Sequence, residues 1–339
     1  MKQNMNQWLE EVRAARVKKP MPVLSYPSIQ LLGVTVKDLT ASATLQAQGM
    51  KAVADRTDAL AAVSFMDLSV EAECFGSEIV KRDDEVPTVV GRIVETPEDA
   101  QALKVPDVNA CRAGICVEGI RLAKEMITDR PVFAGAIGSF SLAGRLVDVT
   151  EAMILCYEDP DMLKTVLEKC TAFLIEYVSA FKRAGADGVV IAEPLAGMLS
   201  PDLAEEFSEP YIRKIVDAVQ DENFLVIYHN CGNGTIQMID SILRTGAKVY
   251  HFGNSIDMRD MMPLIPAETV AMGNVDPAGQ FLNGTPESIT KVTTELLEDL
   301  AGYPNFVISS GCDIPPRSKW ENIDAFFGAV KKYYQSRED

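Results

Sequence analysis

The chain has 339 residues, and 49 acidic against 32 basic side chains leave a formal charge of −17. That balance argues against nucleic acid or an anionic membrane surface as the main partner and favours a small molecule or another protein. No window nears the roughly 18–20 consecutive apolar residues of a bilayer span, and the start lacks the apolar core of a signal peptide, so a cytoplasmic protein is expected.

In chain order, an N-terminal helix is expected within residues 1–20, followed by short apolar runs at 22–25 (PVLS) and 61–65 (AAVSF) that read as strands. Residues 74–130, with several prolines and the run 88–93 (TVVGRI), fit an elaboration rather than a separate domain. From Pro131 onward, β-branched runs alternate with longer amphipathic stretches, the signature of βα units on a parallel sheet. The runs fall at 132–137, 188–192, 224–228, 248–252, 269–272 and 306–309. Between them, Asp159-Pro160-Asp161 and Ser200-Pro201-Asp202 read as helix caps, with proline just inside the helix start.

Eight such strands with intervening helices predict an α/β protein, a single-domain (βα)8 TIM barrel over 1–339 with N-terminal elaborations. An open doubly wound sheet would normally carry a glycine-rich nucleotide loop, and neither G-x-G-x-x-G nor a P-loop is present.

In a barrel, chemistry collects at the C-terminal ends of the strands. Glu193 ends one strand, His229 and Cys231 the next, His251 the next, Asn274 and Asp276 the next, and Cys312 the last. Residues i and i+2 of a strand point the same way, so His229 and Cys231 can share one ion. Cys312, brought in from far along the chain, would be a third ligand that leaves one coordination position open, as in catalytic rather than structural zinc. The alternative is a hydrogen-bonded core histidine beside two inert thiols. Gly232 and Gly234 are expected to keep the following loop open, and Gly311 to give the backbone room beside Cys312.

The other strand-end residues have two readings each. Glu193 would be a fourth ligand, a proton acceptor or a helix cap. His251 would face substrate or pack in its strand, and Asp276 would bind substrate or cap the turn begun by Pro277. The remaining cysteines, Cys74, Cys111, Cys116, Cys156 and Cys170, show no disulfide or metal spacing and are expected to be inert.

Several stretches resemble landmarks of the uroporphyrinogen decarboxylase superfamily, and within it the methylcobalamin:coenzyme M methyltransferase branch. They are Phe65-Met66-Asp67 with 70–76 (VEAECFG), 138–143 (GSFSLA), 184–188 (AGADG), Glu193-Pro194, 208–211 (SEPY), 228–232 (YHNCG) and 311–316 (GCDIPP). The resemblance implies zinc on His229, Cys231 and Cys312. It also implies an enzyme that moves a methyl group from a methylated corrinoid, either free methylcobalamin or a corrinoid protein, to a zinc-activated small thiol such as coenzyme M. Tetrahydrofolate is the alternative acceptor, with Glu193, Asn230, Asn274 and Asp276 placed to hold a pterin edge. Decarboxylation is disfavoured, because the decarboxylase grips its substrate with an arginine-rich N-terminal segment and residues 21–27 contain no arginine. A non-catalytic partner of a corrinoid protein is a reading from a different class.

Overall fold

The computed structural model describes residues 3–337. Seven parallel strands form one sheet in the order β1 (Ala62–Val63), β4 (Val132–Ile137), β5 (Gly188–Ala192), β6 (Leu225–Asn230), β7 (Val249–Phe252), β8 (Val270–Val275) and β9 (Phe306–Ser310). The intervening β2 (Glu78–Val80) and β3 (Thr88–Val90) make a separate antiparallel hairpin within the 74–130 elaboration. That elaboration also carries helix Cys111–Met126, which packs on helix Ala43–Arg56 in the outer layer. No helix among the described residues is long and apolar enough to cross a membrane.

Five of the eight expected strand positions recur within a residue or two of their predicted bounds, the run 269–272 extends three residues further to Val275, and the run 61–65 contracts to the two paired residues of β1. The run at 22–25 is different: it is extended and buried but forms no ladder. Pro20 and Pro22 lack the N–H groups that a continuous ladder needs. The segment still sits between the two ends of the sheet. Met21 N donates to Ile308 O at 3.0 Å and Leu60 N to Pro20 O at 2.8 Å, while the Ser25 hydroxyl bonds the Val63 carbonyl. The barrel is therefore closed by seven ladder strands and one irregular stave.

Strand periodicity divides the apolar residues into two cores. Val190, Leu225, Ile227, Val249, Val270, Met272 and Val307 fill the barrel interior, whereas Val189, Ile191, Val226, Tyr228, Tyr250 and Ile308 face the helices. Both faces are buried, which is why these strands read as unbroken apolar runs. The N-terminal helix is shorter than expected, Met5–Ala14, capped by Asn4, whose side chain accepts from Gln7 N at 3.0 Å. Its buried Met5, Trp8, Leu9 and Val12 join the interior core, and Trp8 packs on Phe133 with ring centroids 5.9 Å apart. The helix thus seals the end of the barrel where the strands begin. The expected caps are present at Asp159, which accepts from Met162 N at 3.0 Å, and at Ser200, which accepts from Leu203 N at 3.4 Å.

Candidate metal centre and its surroundings

Interior parity continues to the ends of the strands. After Leu225 and Ile227, the next inward positions on β6 are His229 and, just past the strand, Cys231; the inward residue after Val249 is His251, after Met272 Asn274, and after Val307 Ser309. In the registers, His229 lies opposite His251, and Asn274 opposite Ser309.

One ligand atom from each of His229, Cys231 and Cys312 lies within 4.8 Å of the other two. His229 is buried and its Nε2 has no hydrogen-bond partner, while its Nδ1 is engaged by His251 Nδ1 at 2.7 Å and the His251 carbonyl at 3.2 Å. A buried imidazole nitrogen left unbonded costs about 1–3 kcal/mol. That cost is relieved if the nitrogen ligates a metal, and one nitrogen with two sulfurs is a donor set suited to zinc. The two thiols are unequal. Hydrogen bonding from Cys312 draws the Cys231 thiol below its usual range, whereas the same contact and burial push Cys312 up to about 12, with His229 pulling it the other way. The pair therefore gives up its first proton at Cys231.

Backbone proximity shapes the loop after β6. A Cβ on Gly232 would lie 2.4 Å from the Gly197 Cα, so Gly232 is required for the close approach of the loops after β5 and β6. The expectation that it serves openness is corrected to this packing role. Beside Cys312, a Cβ on Gly311 would meet Asn254 N at 2.8 Å, in keeping with the room expected there.

Glu193 occupies the capping alternative. Its Oε1 accepts from Phe140 N at 2.9 Å, and its Oε2 from Ser141 N at 3.0 Å and Ser141 Oγ at 2.7 Å, closing the N-terminal turn of helix Ser139–Val147. It is not part of the three-residue cluster. Burial raises its pKa to about 7, against the lowering effect of these donors.

His251 packs rather than facing the rim, with Nε2 at 2.8 Å from Ser309 Oγ. Burial, reinforced by His229, holds it well below the usual imidazole range. Asn230, expected at substrate, turns inward to its own loop: Oδ1 accepts from Gly232 N and Thr235 Oγ1, both at 2.9 Å, and Nδ2 donates to Tyr228 OH at 3.2 Å. Asp276 caps the turn at Pro277, accepting from Ala278 N at 2.9 Å and Gly279 N at 2.8 Å. Asn274 donates to the Gly253 and Ile256 carbonyls at 3.0 and 2.8 Å. Asn274, Asp276 and Asn254 line a cavity of about 750 Å³ against helix Pro286–Asp299, which includes none of His229, Cys231 and Cys312.

A second polar cluster at the same end was missed in the sequence. Arg112 is buried and pairs with both Asp67 and Glu73, donating also to Ser69 Oγ at 2.8 Å. Asp313, next to Cys312, accepts from Met66 N at 3.1 Å. Asp67 and Asp313 carried a strand-end signal, since each follows an apolar run. Arg112 lies in a helix far from any strand end, and nothing local marks it. Among the other cysteines, burial pushes Cys74 and Cys116 up to about 12 and Cys156 up to about 11, which disfavours the thiolate that reactivity needs.

The uroporphyrinogen decarboxylase (URO-D) family model matches residues 23–333. Methylcobamide:CoM methyltransferase MtbA of Methanosarcina acetivorans is 28% identical over 274 residues, spanning 79% of this chain and 78% of the relative. Uroporphyrinogen decarboxylase of Flavobacterium johnsoniae is 28% identical over 282 residues, spanning 81% and 80%. A solved methyltransferase from Methanosarcina mazei shares the fold with a TM-score of 0.85 at 24% identity, over 98% of this chain and 99% of that one. A B12-independent methionine synthase from Shewanella sp. shares it more loosely, with a TM-score of 0.58 at 14% identity over 87% of this chain and 88% of that one.

Proposed function

Because this chain belongs to the uroporphyrinogen decarboxylase family of enzymes, we propose that it is the methyltransferase kind of member, moving a methyl group from a methylated corrinoid to a small thiol at His229, Cys231 and Cys312. The observation that carries this reading is the buried, unpartnered His229 Nε2 beside two thiols of unequal acidity. Three protein donors would hold zinc and leave its fourth position for the acceptor. Zinc bound there would lower the acceptor thiol's pKa and keep it nucleophilic at neutral pH. In the transfer the cobalt–carbon bond breaks with its electron pair left on cobalt, the sulfur–carbon bond forms, and the thiol's proton is lost.

The chain's own residues supply the setting. His229 presents a nitrogen lone pair from a rigid strand end, and Cys231 is the thiol that ionises first. Glu193 draws helix Ser139–Val147 against the end of β5. Decarboxylation is disfavoured by the segment 21–27, which is buried in the barrel closure and offers no cation to a polycarboxylate substrate.

Metal content decides the acceptor. Protein purified without added metal or tag histidines is expected to hold about one zinc per chain. Cys312→Ser should lose the zinc and, with it, demethylation of methylcobalamin by coenzyme M, followed by the corrinoid's absorbance. Protein that fails to bind zinc when supplied would move the acceptor to tetrahydrofolate, with Asn274 and Asp276 the residues to substitute next. Wild-type protein that binds a corrinoid protein but turns over neither acceptor would leave the non-catalytic reading.

A further inference from the structure

We propose that His251 is a positioning residue that fixes the tautomer of His229. It would do so as the middle of a one-directional hydrogen-bonded relay that runs from the Met21 carbonyl through Ser309. The inference rests on the zinc reading above and concerns how this chain prepares its own ligand.

The chain has only two histidines. They lie side by side on β6 and β7, both buried, with ring centroids 4.7 Å apart. Their Nδ1 atoms are 2.7 Å apart, so one must donate and the other accept. His229 Nδ1 also lies 3.2 Å from the His251 carbonyl, an acceptor that agrees with donation from His229, and the far end of the chain of contacts points the same way. Beyond them, His251 Nε2 is 2.8 Å from Ser309 Oγ, and Ser309 Oγ is 2.7 Å from the Met21 carbonyl oxygen.

The carbonyl end sets the direction. A carbonyl can only accept, and a hydroxyl has one proton, so the Ser309 proton goes to Met21. Ser309 Oγ then accepts from His251 Nε2–H. His251 Nδ1 is then the bare nitrogen of its ring and accepts from His229 Nδ1–H. The only tautomer left to His229 has its Nε2 bare, and that is the atom with no partner in the structure. Reversing the chain would set the Ser309 and Met21 oxygens against each other without a proton between them, in a site where both residues are buried. It would also place a proton on the metal-facing nitrogen. Each fault leaves a buried polar atom without a proper partner, which is unfavourable.

The anchor of the relay is backbone, so it can neither rotate nor ionise. Met21 is itself fixed, donating from its N to Ile308 O at 3.0 Å across the barrel closure. The irregular stave that replaces the eighth strand thus sets the lone pair of the metal ligand on β6, on the opposite side of the barrel. Partners of this kind on a ligating histidine are typically worth 10–100-fold in metal affinity.

Two histidines make a direct test practicable. Tag-free protein labelled with 15N-histidine is examined by long-range 1H–15N correlation before and after zinc loading, with His251→Asn providing the assignment. The relay requires His229 as the Nδ1–H tautomer and His251 as the Nε2–H tautomer already in the metal-free protein. A proton on His229 Nε2, or on His251 Nδ1, overturns it. Zinc affinity by chelator competition is the second readout. His251→Phe is expected to lose about 10–100-fold, and His251→Asn, whose amide oxygen can accept from His229, to recover most of that loss. Undiminished affinity in His251→Phe, or no recovery in His251→Asn, also overturns it. The expected tautomers in a protein that never binds zinc would support the relay while removing the metal reading; zinc bound with the opposite tautomers would remove the relay alone.

Discussion

Two buried glutamates near the rim have their pKa raised by burial, but their oxygens are satisfied differently. Glu71 uses one oxygen to accept from Ile137 N at 3.0 Å, its other oxygen has no partner, and burial raises its pKa to about 7. Folding therefore promotes protonation of this carboxyl: its contribution is full below the unfolded value near 4.5 and is lost as pH rises to about 7. A shift of that size is worth about 3 kcal/mol. Glu71→Gln keeps the acceptor for Ile137 and cannot ionise, so it should raise stability at pH 8 more than at pH 5. Urea unfolding at the two pH values measures this, and an unchanged difference between them would mean that Glu71 is not the group responsible. Glu193 should respond with the opposite sign. All three of its partners are donors, so the amide of Glu193→Gln would face an N–H or hydroxyl and cost about 1–3 kcal/mol.

Among the elements, the loops following β5 and β6 are packed backbone to backbone at Gly197 and Gly232, and Asn230 ties the second loop to its strand. Cys231 lies between these constraints, so its sulfur position depends on them. Gly232→Ala would press its Cβ onto the Gly197 backbone and force the loops apart. The expected result is a loss of about 1–3 kcal/mol together with weaker zinc binding. Gly302→Ala, where an added Cβ meets nothing within 4 Å, is the matched control and should stay within about 0.5 kcal/mol. If both variants bind zinc equally, the loop contact does not govern the thiol.

On the scale of the whole molecule, the barrel works from opposite ends. Chemistry-bearing residues gather where the strands finish, while helix Met5–Ala14 seals the end where they begin, with Trp8 buried against Phe133. Trp8→Ala should therefore lower stability by about 3–5 kcal/mol in chemical denaturation, yet leave the zinc content of the folded protein unchanged. Metal loss in step with stability would show the two ends to be coupled through the interior core.

What the chain alone determined is what local rules govern. The alternation of β-branched runs with capped amphipathic stretches follows from backbone periodicity and proline placement, and it was enough for a βα barrel. The same period of two put His229 and Cys231 on one side of a strand end. Contacts between distant segments followed no such rule. Cys312 comes to His229 and Cys231 only because the barrel closes, and Glu193 caps a helix some fifty residues earlier because that helix begins beside β5. Arg112 finds its acidic partners from a helix with no marking motif. The stave at 20–25 and the hydrogen-bond partners of His251 were likewise decided by tertiary structure. A residue's side of a strand is set by its neighbours in sequence, but the partner it meets there is set by which strands the closed barrel lays side by side.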